Sequence, residues 1–195
     1  MKSRGFTLIE LAVVLAIIAV LAAVLTPMVT GYLDQARVAR AQADTRTIAD
    51  SIKLYQRDTG RWPVYATSGD YPSTIGGGKS LIGGSTGSNP QNGNATWGVS
   101  TIVASSSLEV YINGNLTGLS ANAFPKAGFR GPYIGSLDSD PWGNRYVLTA
   151  LDLAGSTNHG YVISAGPNGV MDTTMDQPAT GQFIVGSDDV VSVIK

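Results

Sequence analysis

The chain has 195 residues, of which 43% are hydrophobic and 14% charged, and this length suits one compact domain with an extension. The formal net charge is −1, so no broad basic surface for binding nucleic acid is expected. The absence of cysteine excludes disulfide bonds and thiolate metal sites.

The first thirty residues combine a short basic start with a long apolar run. Lys2 and Arg4 precede Phe6, and unbroken apolar sequence extends from Leu11 to Leu25. As a helix, residues 6–29 would measure about 36 Å, enough to cross a hydrocarbon core of about 30 Å. The basic residues predict that the N-terminus lies on the cytoplasmic side of the membrane.

Glu10 separates three interpretations of this segment. A cleavable signal peptide and an ordinary membrane anchor both explain the apolar run. A carboxylate within an apolar helix costs about 2.5–3.5 kcal/mol on insertion scales, which favours a segment that keeps Glu10 for a partner. A helical pattern that continues past residue 30 also argues against a signal peptide.

That continuation is predicted from a stripe of residues spaced three and four apart. The stripe is Ala41, Thr45, Ile48, Ile52 and Tyr55, which share one helix face. Gly60 and Pro63 mark a stop. The sequence therefore predicts one helix over residues 6–59, loosened or kinked at Pro27 and Gly31.

The segment Gly5-Phe6-Thr7-Leu8-Ile9-Glu10, with the apolar run and Pro27, resembles the prepilin signature of type IV pilins and pseudopilins. The resemblance implies that a prepilin peptidase cuts after Gly5 and that the new amine of Phe6 is N-methylated. It also implies that Glu10 pairs with the Phe6 amine of a neighbouring subunit during assembly. Such pairing suits a carboxylate in a medium of low dielectric constant, where isolated charges are costly.

Beyond the helix, the composition changes twice. Residues 64–100 are rich in Gly and Asn and are predicted to be loop, and residues 101–113 are assigned to a short helix rather than a strand. Four later runs are β-branched and aromatic: 146–149, 161–164, 183–185 and 190–194. These predict a small antiparallel sheet packed against the C-terminal half of the long helix.

The C-terminal part is similar to the major pseudopilin of type II secretion. The segments that carry this resemblance are Tyr55…Asp58-Thr59-Gly60-Arg61-Trp62-Pro63, Gly131-Pro132-Tyr133, residues 140–146, residues 164–169 and Asp188-Asp189-Val190. Two regions depart from the family pattern, because residues 64–130 are longer than usual and residues 175–186 carry extra sequence.

A calcium site is the candidate metal centre. Asn168, Asp172, Asp188 and Asp189 provide the hard oxygen ligands that calcium prefers, and Asp176 is an alternative ligand. In the family it resembles, this loop binds a structural calcium through side chains matching Asn168, Asp188 and Asp189, together with backbone carbonyls. The competing interpretation is a set of solvated turn residues.

No catalytic site is predicted. Gly78-Lys79-Ser80 lacks the upstream glycine of a phosphate-binding loop, where Ser73 stands instead,. The single histidine, His159, is interpreted as a solvated turn residue rather than a catalytic base.

These features predict an α+β, type IV pilin-like fold. Residues 1–5 are a removed leader, 6–30 a transmembrane and filament-core helix, and 31–59 its amphipathic half. The head, 60–195, comprises a variable loop-rich region (64–130) and a sheet region with the calcium loop (131–195).

The favoured function is the major pseudopilin of type II secretion, a structural filament subunit and not an enzyme. The alternatives are a type IV pilin of a surface pilus and, third, a membrane-anchored enzyme. Expected partners are other copies of the chain, the prepilin peptidase, an inner-membrane assembly platform and minor pilins or pseudopilins. The predicted location is the bacterial inner membrane with the head in the periplasm, followed by a periplasmic or extracellular filament.

Overall fold

The computed structural model describes residues 6–60, 62–63, 81–84, 86–93, 108–113, 128–153 and 157–195. The chain divides into two compact units with their boundary between Arg37 and Val38. The secondary-structure elements in chain order are α1 (Leu8–Thr59), β1 (Leu81–Gly83), β2 (Gln91–Asn92), α2 (Leu108–Asn113), β3 (Tyr146–Leu148), α3 (Ala150–Leu153), β4 (Tyr161–Ser164), β5 (Val170–Met171) and β6 (Val190–Val193).

The long helix α1 confirms the helix predicted from the sequence. It contains Pro27 without ending there. It ends where Gly60 adopts a φ of 70° and donates its N–H to the carbonyl oxygen of Gln56 at 2.8 Å. Glycine reaches this left-handed conformation without the penalty that a Cβ atom imposes, so it is the residue expected at a helix end.

The head contains a four-stranded antiparallel sheet in the order β1-β3-β4-β6. Together with α1 it confirms the α+β, pilin-like architecture. A separate two-stranded parallel ladder joins β2 to β5. The residues around β2 are held further by hydrogen bonds from Arg145 Nε to the carbonyl oxygen of Gly87 (2.9 Å) and from Gly93 N to that of Met171 (3.2 Å).

The predicted stripe of α1 faces the core of the head. All five of its residues are buried: Ala41, Thr45, Ile48, Ile52 and Tyr55. The apolar members Ile48, Ile52 and Tyr55 share a core cluster with the sheet residues Tyr146, Leu148 and Val162 and with Leu108 and Ile112 of α2. The alternate sheet residues Val147 and Ile163 belong to a second cluster with Met171 and Met175, as expected from the two-residue period of a strand.

Two hydrogen bonds also join α1 to the sheet. Tyr146 donates its hydroxyl to Asp44 Oδ2 at 2.8 Å, and Ser192 donates to Thr45 Oγ1 at 2.9 Å. Burial raises the pKa of Tyr146, and the hydrogen bond to Asp44 raises it further. Asp44 and Thr45 of α1 are therefore each hydrogen-bonded to a strand of the sheet.

The strand predicted at 183–185 is wrong. The side chain of Gln177 donates to the carbonyl oxygen of Ile184 at 2.8 Å and accepts from its N–H at 2.7 Å. Because one amide group satisfies both backbone groups, Ile184 needs no neighbouring strand. The region is an irregular loop with Ile184 70% exposed.

The loop and helix predictions between 64 and 113 have mixed outcomes. The helix is confirmed at Leu108–Asn113, and its first seven predicted residues, 101–107, lie outside the described residues. Loop is wrong for Leu81–Gly83, which pairs with β3, and for Gln91–Asn92, which pairs with β5. Residues 64–80 and 94–100 are outside the described part of the chain.

Candidate functional sites

The N-terminal part of α1 presents an apolar surface that this chain does not cover. Every residue from Phe6 to Arg40 is exposed. Among the described residues, α1 is the one helix long and apolar enough to cross a membrane. Burying such a surface is favourable at about 25 cal/mol per Å², so lipid or other protein chains are the expected covering.

A reciprocal cap holds Glu10 at the start of this helix. Glu10 Oε2 accepts hydrogen bonds from Thr7 N at 2.9 Å and from Thr7 Oγ1 at 2.7 Å, and Thr7 Oγ1 lies 3.3 Å from Glu10 N. This is a capping box, in which Thr and the Glu three residues later satisfy free backbone N–H groups. Glu10 Oε1 accepts no hydrogen bond from the described residues and therefore remains open to a donor from another molecule. Phe6 is 85% exposed, and Gly5 lies outside the described residues.

The predicted metal ligands lie in the loop that connects β4 to β6, which we call the acidic loop (residues 166–189). Asn168 Nδ2 donates to Asp188 Oδ1 at 2.7 Å and to Asp172 Oδ2 at 3.2 Å. Asn168 N also donates to Asp188 Oδ2 at 3.1 Å. Gly166, with a φ of 62°, packs so closely that a Cβ atom there would collide with the carbonyl oxygen of Asp188. The structure therefore brings three of the four predicted ligands into direct contact.

Asp189 is held in a different way. It is 8% exposed, and its Oδ2 accepts from Asp172 N at 2.9 Å, Thr173 N at 2.6 Å and Thr173 Oγ1 at 2.6 Å. Its other oxygen, Oδ1, is buried and has no hydrogen-bond partner among the described residues. Burial raises the pKa of Asp189, although the donors from Thr173 and Asp172 lower it. A buried carboxylate oxygen without a donor is costly, and a bound cation would remove that cost.

The predicted ligands are of mixed type. Among the described residues, no three acidic, cysteine or histidine side chains form a group that could hold a metal ion, so Asp172, Asp188 and Asp189 do not meet at one point. Calcium accepts amide and backbone carbonyl oxygens together with carboxylates, and this loop offers all three types. Asp176, the alternative ligand, is exposed.

Thr173 is a residue that the sequence did not indicate. It is 1% exposed, and its hydroxyl also accepts from Gly186 N at 2.9 Å. It therefore joins the middle of the acidic loop to two residues near its C-terminal end, Gly186 and Asp189. A threonine beside acidic residues is common in turns, so its sequence position carried no signal.

His159 is not the solvated turn residue predicted from the sequence. Its ring is half-buried and packs edge-on against Phe183 with ring centroids 5.5 Å apart. Nδ1 lies 3.1 Å from the backbone oxygen of Lys195. No serine hydroxyl or carboxylate side chain of the described residues bonds to the ring, so no catalytic triad is present in that part of the chain.

An exposed apolar helix segment that starts with a Thr7–Glu10 capping box, together with a helix face packed in the core of a small antiparallel head, defines a type IV pilin-like protein. Comparison with known proteins agrees. Residues 1–26 match the family model described as the prokaryotic N-terminal methylation motif. No solved structure matches the chain.

Named relatives identify the family within this class of pilin-like proteins. Type II secretion system core protein G of Escherichia coli K12 is 31% identical over 175 residues, which are 90% of this chain and 89% of that protein. The protein of the same name from Pseudomonas aeruginosa is 32% identical over 149 residues, 76% of this chain and 75% of that protein. Type IV major pilin protein PilE1 of Neisseria gonorrhoeae is 38% identical over 65 residues, covering 33% of this chain and 39% of the pilin. The chain belongs to the type II secretion system core protein G family.

Proposed function

We propose that this chain is the major pseudopilin of a type II protein secretion system, a structural subunit that assembles into a helical filament. The observation that carries this proposal is the match to core protein G over 90% of the chain. That match includes the head, whereas the match to the gonococcal pilin covers 33%. The relatives are structural subunits, and the proposal assigns no enzymatic activity to this chain.

In this proposal, before assembly, the subunit is held in the inner membrane by the apolar part of α1, with its head in the periplasm. The basic residues Lys2 and Arg4 support that orientation. A prepilin peptidase cuts after Gly5, and the amine of Phe6 is methylated. The subunit then passes through an assembly platform into a filament that also contains minor pseudopilins, where other copies cover the apolar helix surface.

Glu10 is proposed to pair with the Phe6 amine of a neighbouring copy. The open Oε1 atom supports this role, since Thr7 engages only Oε2. In the dry core of a filament, an ammonium group beside this carboxylate would satisfy two charges that are each costly alone.

The test of this proposal uses the native cell and a deletion strain. Intact mass of the membrane-extracted protein should match a chain that starts at methylated Phe6. The deletion strain should retain exoproteins in the periplasm, and E10Q should fail to restore export although immunoblots show the subunit in the membrane. A mature chain that starts at Met1 would refute the processing step. Surface fibres that contain this protein and vanish in the deletion, with export unchanged, would identify a type IV pilin instead.

We further propose that the acidic loop holds one structural calcium ion. The proposed ligands are oxygens of Asn168, Asp172, Asp188 and Asp189, with backbone carbonyls of the same loop. When bound, calcium supplies positive charge to a site rich in carboxylates. The unpartnered Oδ1 of Asp189 supports the proposal. Calcium should raise the melting temperature of the detergent-solubilised chain above its value in chelator. Magnesium should raise it less, since it requires a rigid octahedral shell. Equal melting temperatures in calcium and chelator would refute the site.

A further inference from the structure

We infer that a cavity on one side of α1, beside Asp44 and Asp138, receives a cationic side chain from the opposite side of α1 of a second copy of this chain. Neighbouring copies then meet through two different faces of the same helix. The inference deepens the proposed function and rests on it, because it takes the second copy to be the neighbouring subunit of the filament.

The cavity has a volume of about 240 Å³ and lies between α1 and the segment 134–138. Its lining includes Arg40, Asp44 and Thr47 of α1, Gly135 and Asp138 of that segment, and Tyr146 of β3. Gly135 and Asp138 are exposed, so the cavity opens to solvent. A cavity of about 150 Å³ can hold benzene, and this one therefore has room for the end of a lysine or arginine side chain.

The charged groups of the cavity leave a place for one more cation. Two carboxylates and one guanidinium line it, which gives a net side-chain charge of −1. Arg40 Nε lies 3.5 Å from Asp44 Oδ2, and the hydroxyl of Tyr146 donates to the same oxygen at 2.8 Å. Asp44 Oδ1 and the carboxylate of Asp138 accept no hydrogen bond from the described residues. A cation that enters the cavity would therefore meet carboxylate oxygens that are free to accept.

The sequence of α1 supplies two such cations on its other side. Arg46 and Lys53 are exposed, and neither forms an ion pair with a carboxylate of the described residues. At about 100° of rotation per residue, Lys53 lies about 180° around the helix axis from Asp44, and Arg46 lies about 160° from it. Both cations consequently face away from the cavity of their own copy. A second copy packed against the cavity can present them to it.

This arrangement suits a filament. A contact between two different faces can repeat from copy to copy and builds an open helical assembly, whereas a contact between two identical faces closes as a dimer. The cavity is acidic and the opposite side of α1 carries unpaired cations, so the two faces are also complementary in charge.

Introduced cysteines test this contact directly, since the chain has no cysteine of its own. In the deletion strain, the double variant K53C/D138C treated with a short bismaleimide should give a ladder of dimers, trimers and larger multimers on denaturing gels. The variant R46C/D138C is the second arm, and the stronger ladder identifies the cation that enters the cavity. D138C alone lacks the second cysteine and should give no ladder. Failure of both double variants to form one would refute the inference.

Filling the cavity is an independent test. A Cβ atom at Gly135 meets no atom within 4 Å, so G135F can occupy the cavity without displacing the fold. It should leave the melting temperature of the detergent-solubilised chain unchanged, while the cross-linked multimers and the exported protein decrease. G181F is the matched control outside the cavity, because a Cβ atom there meets only Pro178 O at 3.5 Å. It should preserve both assembly and export.

Charge reversal then separates the inference from the proposed function. D138K should lower the amount of assembled subunit by about tenfold or more, since like charges across an interface cost several kcal/mol. K53E, or R46E if Arg46 forms the ladder, should restore assembly in the same chain. Native assembly and export in both G135F and D138K would refute the inference and leave the pseudopilin proposal intact. Unchanged export in the deletion strain, with loss of surface fibres, would refute the pseudopilin proposal, and the ladder would still show whether the cavity joins copies within those fibres.

Discussion

Replacing Thr173 with valine should destabilise the head more than its single lost hydroxyl suggests. Thr173 is 1% exposed, so water does not replace the contacts that it loses. The hydroxyl donates to Asp189 Oδ2 at 2.6 Å and accepts from Gly186 N at 2.9 Å. A hydrogen bond to a charged group contributes about 1.5–3 kcal/mol, and a buried N–H left without an acceptor costs about 1–3 kcal/mol. We expect T173V to lower the free energy of unfolding by about 3 kcal/mol, since neighbouring terms do not add fully.

Thermal unfolding in chelator, followed by near-ultraviolet circular dichroism, measures this loss without calcium. At about 2–4 °C per kcal/mol for a chain of this size, the melting temperature should fall by about 6–12 °C. T173S keeps the hydroxyl and should recover most of the loss, whereas T47V removes an exposed hydroxyl that donates to the carbonyl oxygen of Ala43 within α1 and should change little. A T173V protein as stable as T173S would refute the reasoning, because it would show that the hydroxyl bonds contribute nothing.

Three other predictions concern the hydrophobic core, the loss of stability at alkaline pH and the irregular loop around Ile184. Ile48→Ala, at a fully buried position, should cost about 2–5 kcal/mol in urea unfolding, while Leu54→Ala, 40% exposed on the same helix, should cost less than about 1 kcal/mol; equal losses would contradict the assigned helix face. Because the fold raises the pKa of Tyr146 above its ordinary value of 10.0, the stabilisation from its neutral hydroxyl is complete below pH 10 and is lost as pH rises through the raised pKa. Y146F should therefore flatten the alkaline fall in melting temperature, and a slope equal to that of the native chain would count against this origin. Gln177→Ala removes both hydrogen bonds to the backbone of Ile184 and should speed amide exchange at Ile184; unchanged exchange would show that the loop is held by other contacts.

The elements that the sequence predicted well are those with a long or repeated pattern. The stripe from Ala41 to Tyr55 spans four turns of α1, so periodicity alone identifies the buried face. The β-branched runs at β3, β4 and β6 are also predicted: β3 and β4 are buried throughout, whereas Val190 alone is buried in β6. β2 and β5 have two residues each, and pairing across the fold rather than local composition defines them.

The strand wrongly predicted at 183–185 shows the limit of local patterns. Phe183, Ile184 and Val185 have the composition of a strand. The side chain of Gln177 satisfies the backbone of Ile184, and no pattern of apolar residues reveals such a contact in advance.

The acidic loop was predictable in part. Glycine and carboxylate residues identified Asn168, Asp172 and Asp188, and the structure places them in contact. Calcium binding itself stays a prediction. The role of Thr173 follows from the path of the loop between β5 and β6, which brings Gly186 back to it.

The parallel ladder between β2 and β5 bears on how the head can change during evolution. The stretch 86–93 is held to the head by this ladder and by the contact from Arg145 to Gly87, and β1 just before it pairs with β3. Together they fix the chain at an intermediate point between Pro63 and Leu108. The entropy of closing a chain segment between fixed points grows only with the logarithm of its length, at about 0.6 kcal/mol for each doubling. Insertions and deletions before or after this point should therefore change the free energy of folding little, and their effects should be independent of one another. Surface features of the filament could diversify there while the sheet and the packing of α1 against it are preserved.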